Sequence, residues 1–281
     1  MLYLKINREI SRHGRPCKDE KEVHTVEKIN SLQNVHVKAW KKLQTKKGRK
    51  QQGMYLLDGW HLVNEAVKAH VPIKTLLITE KQLATDPDLT KFPALIEISE
   101  EVAAHISATV TPQGVFALVV LPDAKDDELA NLDLTRPWLL LDNVQDPGNI
   151  GTMVRTADAA GFAGVAFGQG TVDVHQPKVE RAMQGSQFHL HLISTDLTTL
   201  VERLHADNVP VYGSELNPEA VQYQDVDAPE AFGLVMGNEG NGMSKALLAQ
   251  TDQNLYIPIK GRAESLNVAV AAGILMFGLY H

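Results

Sequence analysis

The chain has one cysteine, Cys17, in 281 residues. A single thiol excludes an internal disulfide framework and any cysteine-cluster metal site, and it fits a reducing compartment. No apolar run reaches the ~20 residues of a membrane span. The nearest, at the C-terminus, is short and reads as buried core. The N-terminus lacks the apolar stretch of a secretion signal, so the expected location is cytoplasmic, with no membrane partner. Common catalytic signatures are missing too: no GxGxxG follows the first strand of the second domain, and GxxxxGK[ST], HExxH and GxSxG do not occur. With the lone cysteine in a polar tail, a thiol nucleophile is not expected.

What is present is ordinary in bulk and uneven in detail. A hydrophobic content of 44% and a charged content of 22% suit a globular chain with room for two cores. The net charge of −7 hides an asymmetry. Residues 1–50 carry 14 Lys/Arg against 5 Asp/Glu, whereas residues 51–281 carry 13 against 29. A basic front end on an acidic body would take a polyanion at one end only; the alternative is a solvated basic tail.

Residues 1–22 are polar and aperiodic and read as a poorly ordered extension. From Val23 to Lys50 the pattern turns helical and strongly basic, with Lys38, Lys41, Lys42, Lys46, Lys47, Arg49 and Lys50 around Trp40. Basic side chains beside an aromatic suit phosphate contact and stacking. A lone Trp more often anchors a helix, so RNA contact is assigned to Lys41, Lys42, Lys46 and Lys47 and packing to Trp40. Residues 54–121 alternate strand and helix: strands at 54–57, 73–78, 94–98 and 114–121, helices at 60–69 and 100–107. His61, Glu65 and His105 match no standard metal spacing, and no metal is expected. This first unit, 23–121, reads as a binding module. The acidic, proline-bracketed stretch 122–137 reads as a linker.

The second domain, 138–281, opens with the apolar strand Trp138–Leu141, followed by the turn Asp146-Pro-Gly-Asn149 and a helix from Ile150 to Ala160. Ile150, Met153, Val154 and Ala157 recur at helical spacing and face a core, with Arg155 on the other side. Asn149 stands where a cap would. Further strands and a helix at 197–206 argue for a mostly parallel sheet covered by helices. The last fifty residues hold two glycine-rich or polar loops, each after a buried strand (232–236 and 255–259). Ser265 is placed to cap a closing helix over 266–280. Loops of this kind at strand ends suit a ligand site at the carboxyl edge of an α/β sheet. Asn149, Arg155, Glu239, Ser265 and Asn267 all fall near turns or helix starts. Each alone has a plain structural role open to it, as cap, surface charge or turn former.

Together they form a pattern. Asp146-Pro-Gly-Asn-Ile-Gly-Thr-Met-Val-Arg-Thr-Ala-Asp158, Met236-Gly-Asn-Glu-Gly-Asn-Gly-Met-Ser244 and Ile257-Pro-Ile-Lys-Gly-Arg-Ala-Glu-Ser-Leu-Asn-Val268 resemble the three motifs of the SpoU (TrmH) family, RNA 2′-O-ribose methyltransferases of the SPOUT superfamily. One departure is Met183-Gln-Gly-Ser186, where many members carry a run of small residues. Residues 23–121 resemble, less specifically, the ribosomal-protein-like RNA-binding domain that precedes the catalytic domain in many members. The resemblance implies a trefoil-knotted α/β domain working as a homodimer, with S-adenosylmethionine held through backbone groups of Gly237, Ile257 and Leu266. It implies Arg155 at the target ribose and phosphate, Asn149 holding the site together, and Glu239 positioning Arg155 or Asn149. Ser265 and Asn267 would order the substrate and cofactor loops. The implied reaction is methylation of a ribose 2′-hydroxyl in structured RNA, ribosomal RNA ahead of transfer RNA. A non-catalytic RNA-binding protein keeping the fold, or a methyltransferase for a base or small molecule, are the rival readings.

Overall fold

The computed structural model describes residues 26–86, 89, 92–122 and 128–280. The expectations for residues 1–22 and Cys17, and for 123–127 of the linker, lie outside these. The chain forms two compact units. One holds the described residues up to Pro122 together with His175–Pro177, and the other holds the rest.

In the first unit β1 (Glu27–Ile29) is followed by helices α1 (Val35–Lys42) and α2 (Lys46–Gln52), then β2 (Met54–Asp58), α3 (Trp60–Lys68), β3 (Ile73–Thr79), α4 (Glu80–Thr85), β4 (Leu95–Ile98), α5 (Glu100–Ile106) and β5 (Val115–Val120). The sheet order is β1-β4-β3-β5-β2. β1, β4 and β3 run parallel, while β5 is antiparallel to both β3 and β2. Val37, Trp40 and Leu43 of the α1 segment pack with Ile98, Ile106 and Phe116. Trp40 is buried, so it anchors the helix as expected. Short β1 and α4 escaped the sequence reading, because three to six residues carry too little periodicity to register.

The second unit runs β6 (Trp138–Leu141), α6 (Pro147–Ala159), β7 (Gly164–Phe167), α7 (Pro177–Met183), β8 (His191–Ser194), α8 (Leu197–Ala206), β9 (Val211–Ser214), β10 (Val221–Gln222), β11 (Gly233–Met236), α9 (Lys245–Leu248), β12 (Gln253–Tyr256) and α10 (Val268–Leu279). Its seven strands are ordered β10-β12-β9-β11-β6-β7-β8 and every pairing is parallel. A parallel sheet has both faces covered, which is why β6 is an unbroken apolar run. Leu139 and Leu141 join the core beneath α6 and α10; Trp138 and Leu140 join the opposite core with α8 and α9 residues. Met183 is fully buried in the first of these cores, so packing absorbs the larger residue at that departure from the family pattern. No helix among the described residues is long and apolar enough to cross a membrane.

Three details differ from the sequence reading. Asp146, not Asn149, caps α6: its side chain accepts from the Asn149 N–H at 2.9 Å, and Pro147 occupies the first turn. Asn267, not Ser265, caps α10, accepting from the N–H groups of Ala269 and Val270 at 3.0 and 3.2 Å. The last strand also ends earlier, at Tyr256, since Pro258 has no N–H to give a ladder.

Candidate active site at the carboxyl edge of the parallel sheet

Because every strand of the second unit points the same way, the segments leaving β6, β9, β11 and β12 emerge along one edge. The chain turns from one half of the sheet to the other at β6 and β11, the position where ligands bind in open α/β sheets.

The loop after β11 is shaped by its own polar groups. Asn238 and Gly242 exchange backbone hydrogen bonds at 2.9 and 3.0 Å. The Asn238 carboxamide oxygen accepts from the N–H groups of Gly240 and Asn241, and its Nδ2 donates to the Asn143 carbonyl at 2.8 Å. Asp142, just past β6, accepts from the Ser244 N–H at 2.6 Å. Gly237 is forced: a Cβ there would sit 2.4 Å from the Gly242 carbonyl carbon and 2.5 Å from the Met243 nitrogen, both backbone atoms.

Freed from capping, Asn149 has a different task. Its Nδ2 donates to Glu239 at 3.1 Å, and its oxygen accepts from Asn267 Nδ2 at 3.0 Å. Glu239 also accepts from the N–H groups of Gln145 and Asp146 at 3.2 and 3.1 Å. One connected chain, Glu239–Asn149–Asn267, therefore ties all three motif segments together. Burial pushes the Glu239 carboxyl upward. Hydrogen bonds from Asn149 and from the backbone of Glu239, Asp146 and Gln145 outweigh that, so its pKa is held below the ordinary carboxylate value.

Beside this chain lies a cavity of about 510 Å³, whose lining includes Ser214, Glu215, Leu255, Ile257, Ser265 and Leu266. That size and mixture of apolar wall and polar groups suits a small organic ligand. Ile257, Leu266 and Ser265 thus come together. Gly237 lies outside the lining and shapes the neighbouring loop. Arg155 is exposed on α6 with no polar partner among the described residues, and Glu239 bonds to Asn149 and not to it. In the first unit Lys42, Lys46 and Lys47 are exposed on α1 and α2, with Lys38 and Lys50. Lys41 is different: its Nζ donates to the His105 carbonyl at 2.6 Å, at the end of α5. No metal-binding group of three or more His, Cys, Asp or Glu occurs among the described residues.

Asn238 and Asp142 were not singled out from sequence. An Asn two residues before a Gly is an Asx-turn signal that could have flagged Asn238. Asp142 offers only its place directly after an apolar strand.

Residues 137–277 match the model of the SpoU rRNA Methylase family, and residues 34–117 match an MRM3-like substrate binding domain. The 23S rRNA (guanosine(2553)-2′-O)-methyltransferase RlmP of Bacillus subtilis (strain 168) is 42% identical over 261 residues, covering 90% of this chain and 99% of that protein. An AdoMet-bound rRNA methyltransferase from Sinorhizobium meliloti has a similar structure, with a TM-score of 0.80 and 30% identity over 90% of this chain and 97% of its own. The SpoU methyltransferase AviRb from Streptomyces viridochromogenes in complex with AdoMet gives a TM-score of 0.78 and 26% identity, covering 88% of this chain and 97% of that one.

Proposed function

The chain belongs to the SpoU rRNA Methylase family, and from this we propose that its substrate is structured ribosomal RNA, held by the first unit and methylated at the edge of the second. The activity is transfer of a methyl group from S-adenosylmethionine to a ribose 2′-hydroxyl of RNA. The observation that carries the proposed site is the Glu239–Asn149–Asn267 chain beside the 510 Å³ cavity.

The cavity fits the cofactor chemically. Leu255, Ile257 and Leu266 offer apolar surface to a purine, and Ser214, Glu215 and Ser265 offer polar groups to its sugar and amino-acid portions. When bound, S-adenosylmethionine supplies an electrophilic methyl on a sulfonium. The protein's own work is then alignment and proton management. Asn149 locks the start of α6 to the loops after β11 and β12, which fixes the cavity against the helix that carries Arg155. Glu239 is a poor base, because its pKa is lowered and three donors already occupy its oxygens; it acts as an ionised anchor. The Arg155 guanidinium presents a planar fork of donors that matches a phosphate, so it holds the phosphate and orients the hydroxyl. Ser265 and Asn267 order the segment between β12 and α10 around both ligands.

RNA recruitment falls to Lys42, Lys46 and Lys47, with Lys41 nearer a structural role. The homodimer belongs to the same proposal. α10 contains no polar side chain, yet Val270 and Phe277 are each 53% exposed, so a second copy is the occupant that would cover this face. The trefoil knot is likewise proposed; its support is that β12, the last strand in sequence, sits between β10 and β9, not at an edge. The proposed compartment is the cytoplasm.

The test uses purified protein, methyl-labelled S-adenosylmethionine and separate ribosomal and transfer RNA, followed by nuclease digestion and mass spectrometry. A 2′-O-methylnucleoside formed in ribosomal RNA, and lost on the order of 10²–10³-fold in Arg155→Ala, is expected. Label confined to transfer RNA would overturn the substrate, and a fully active Arg155→Ala would remove that residue from the reaction.

A further inference from the structure

Along the carboxyl edge of the second unit the carboxylates nearest the loops are already engaged. Asp142 accepts from Ser244, Asp146 caps α6, Asp196 caps α8, and Glu239 accepts from three donors. Glu264, exposed at the rim, and the half-buried Glu215 are the exceptions, and only Glu215 is partly desolvated. It is the first residue past β9, between β11 and β12, and its backbone N–H donates to the Leu255 carbonyl at 3.2 Å. Its half-buried side chain lines the cavity and reaches the loop after β11: a Cβ built on Gly242 would stand 2.9 Å from Glu215 Oε2. Among the described residues no donor reaches this carboxylate. A partly desolvated carboxylate lacking protein donors beside an apolar wall is costly unless a ligand supplies them.

Resting on the reading of this cavity as the S-adenosylmethionine pocket, we infer that Glu215 accepts hydrogen bonds from the cofactor's ribose hydroxyls. Two carboxylate oxygens match a vicinal diol, and an acidic residue after a strand serves ribose in the same way at other α/β nucleotide sites. Its place is next to the buried Leu255, against the apolar part of the lining. Gly261, Ala263, Glu264 and Ser265, which also line the cavity, are exposed and form its lip. The ribose and purine therefore belong beside Glu215, and the charged amino-acid end belongs at the lip.

Calorimetry on the full chain tests this with S-adenosylhomocysteine and with 5′-methylthioadenosine, which keeps the nucleoside and lacks the amino acid. Glu215→Gln should weaken both ligands by a similar factor, about tenfold or more, since a charge-assisted acceptor is lost. Its melting temperature should stay within about 2 °C of wild type, because no internal hydrogen bond is removed. Weakening of S-adenosylhomocysteine alone would assign Glu215 to the ammonium and overturn the inference. Unchanged affinity for both, or a collapse in melting temperature, would overturn it too. Wild-type protein that bound neither nucleoside would remove the pocket reading itself, and this inference with it.

Discussion

Replacing Asn149 with alanine cuts the one side chain that joins all three loops. Two hydrogen bonds go, at 3.1 Å to a carboxylate and at 3.0 Å from an amide. Shielded bonds of these kinds contribute roughly 1.5–3 and 0.5–1.5 kcal/mol. Both lie at the surface, where water replaces much of what is lost, so the sum of the low ends, about 2 kcal/mol, is an upper bound and the cost is about 1–2 kcal/mol. For a unit of this size that lowers the melting temperature by roughly 2–8 °C. Methyl transfer should fall much further, on the order of 100-fold, because a misalignment of about 1 Å at the reacting atoms has that effect. The assay pairs label transfer into ribosomal RNA with thermal melting of Asn149→Ala, Asn267→Ala and the double variant. The two single losses should overlap, with a coupling of about 0.5–1 kcal/mol between neighbours that share a bond. Wild-type turnover in Asn149→Ala, or strictly additive losses in the cycle, would refute the idea that this bridge sets the site.

Gly237→Ala should destabilise the second unit by roughly 1–3 kcal/mol, since its Cβ meets backbone at 2.4 Å and cannot be accommodated by a rotamer; melting curves and nucleoside calorimetry check this. Changing Lys42, Lys46, Lys47 and Lys50 together to glutamine should lower the slope of log affinity for RNA against log salt by up to about 3. Lys41→Gln should instead mainly cost stability, because its ammonium is bound to the end of α5. Glu239 has a folded pKa below its ordinary value of 4.5, so its stabilisation is complete above that pH and is lost as pH falls through the lower folded value. Urea unfolding of wild type and Glu239→Gln should show a constant gap from pH 7 to 5 that narrows below about pH 4; a gap unchanged down to pH 3 would contradict the assignment.

Much of this protein was legible in its residues. The fully apolar Trp138–Leu141 could only be a strand buried on both faces, and the alternation that follows could only build a covered parallel sheet. The three motif segments carry their residue types in fixed order, so the family resemblance and the identities of Asn149, Glu239 and Asn267 came from sequence. Trp40 also read correctly, because a lone aromatic on a helix is usually core.

Their contacts were legible only in part: the resemblance put Glu239 against Arg155 or Asn149, and the folded chain joins it to Asn149. Asn149 and Ser265 both sit where a cap belongs, and local sequence cannot rank competing caps; in the folded chain Asp146 accepts from the Asn149 N–H, and Asn267 accepts from those of Ala269 and Val270. Losing that competition is what frees the Asn149 side chain for Glu239, 90 residues away, and leaves Asn267 able to cap α10 and meet Asn149 at once. The same holds for Lys41, whose charge reads as an RNA contact until α5 brings a carbonyl to it, and for Glu215, an ordinary strand-end carboxylate until β11 and β12 enclose it. Propensity and periodicity act over a few residues, so they set the elements. Which polar group meets which partner is decided by the order in which seven parallel strands lie side by side, and that order exists only in the folded chain.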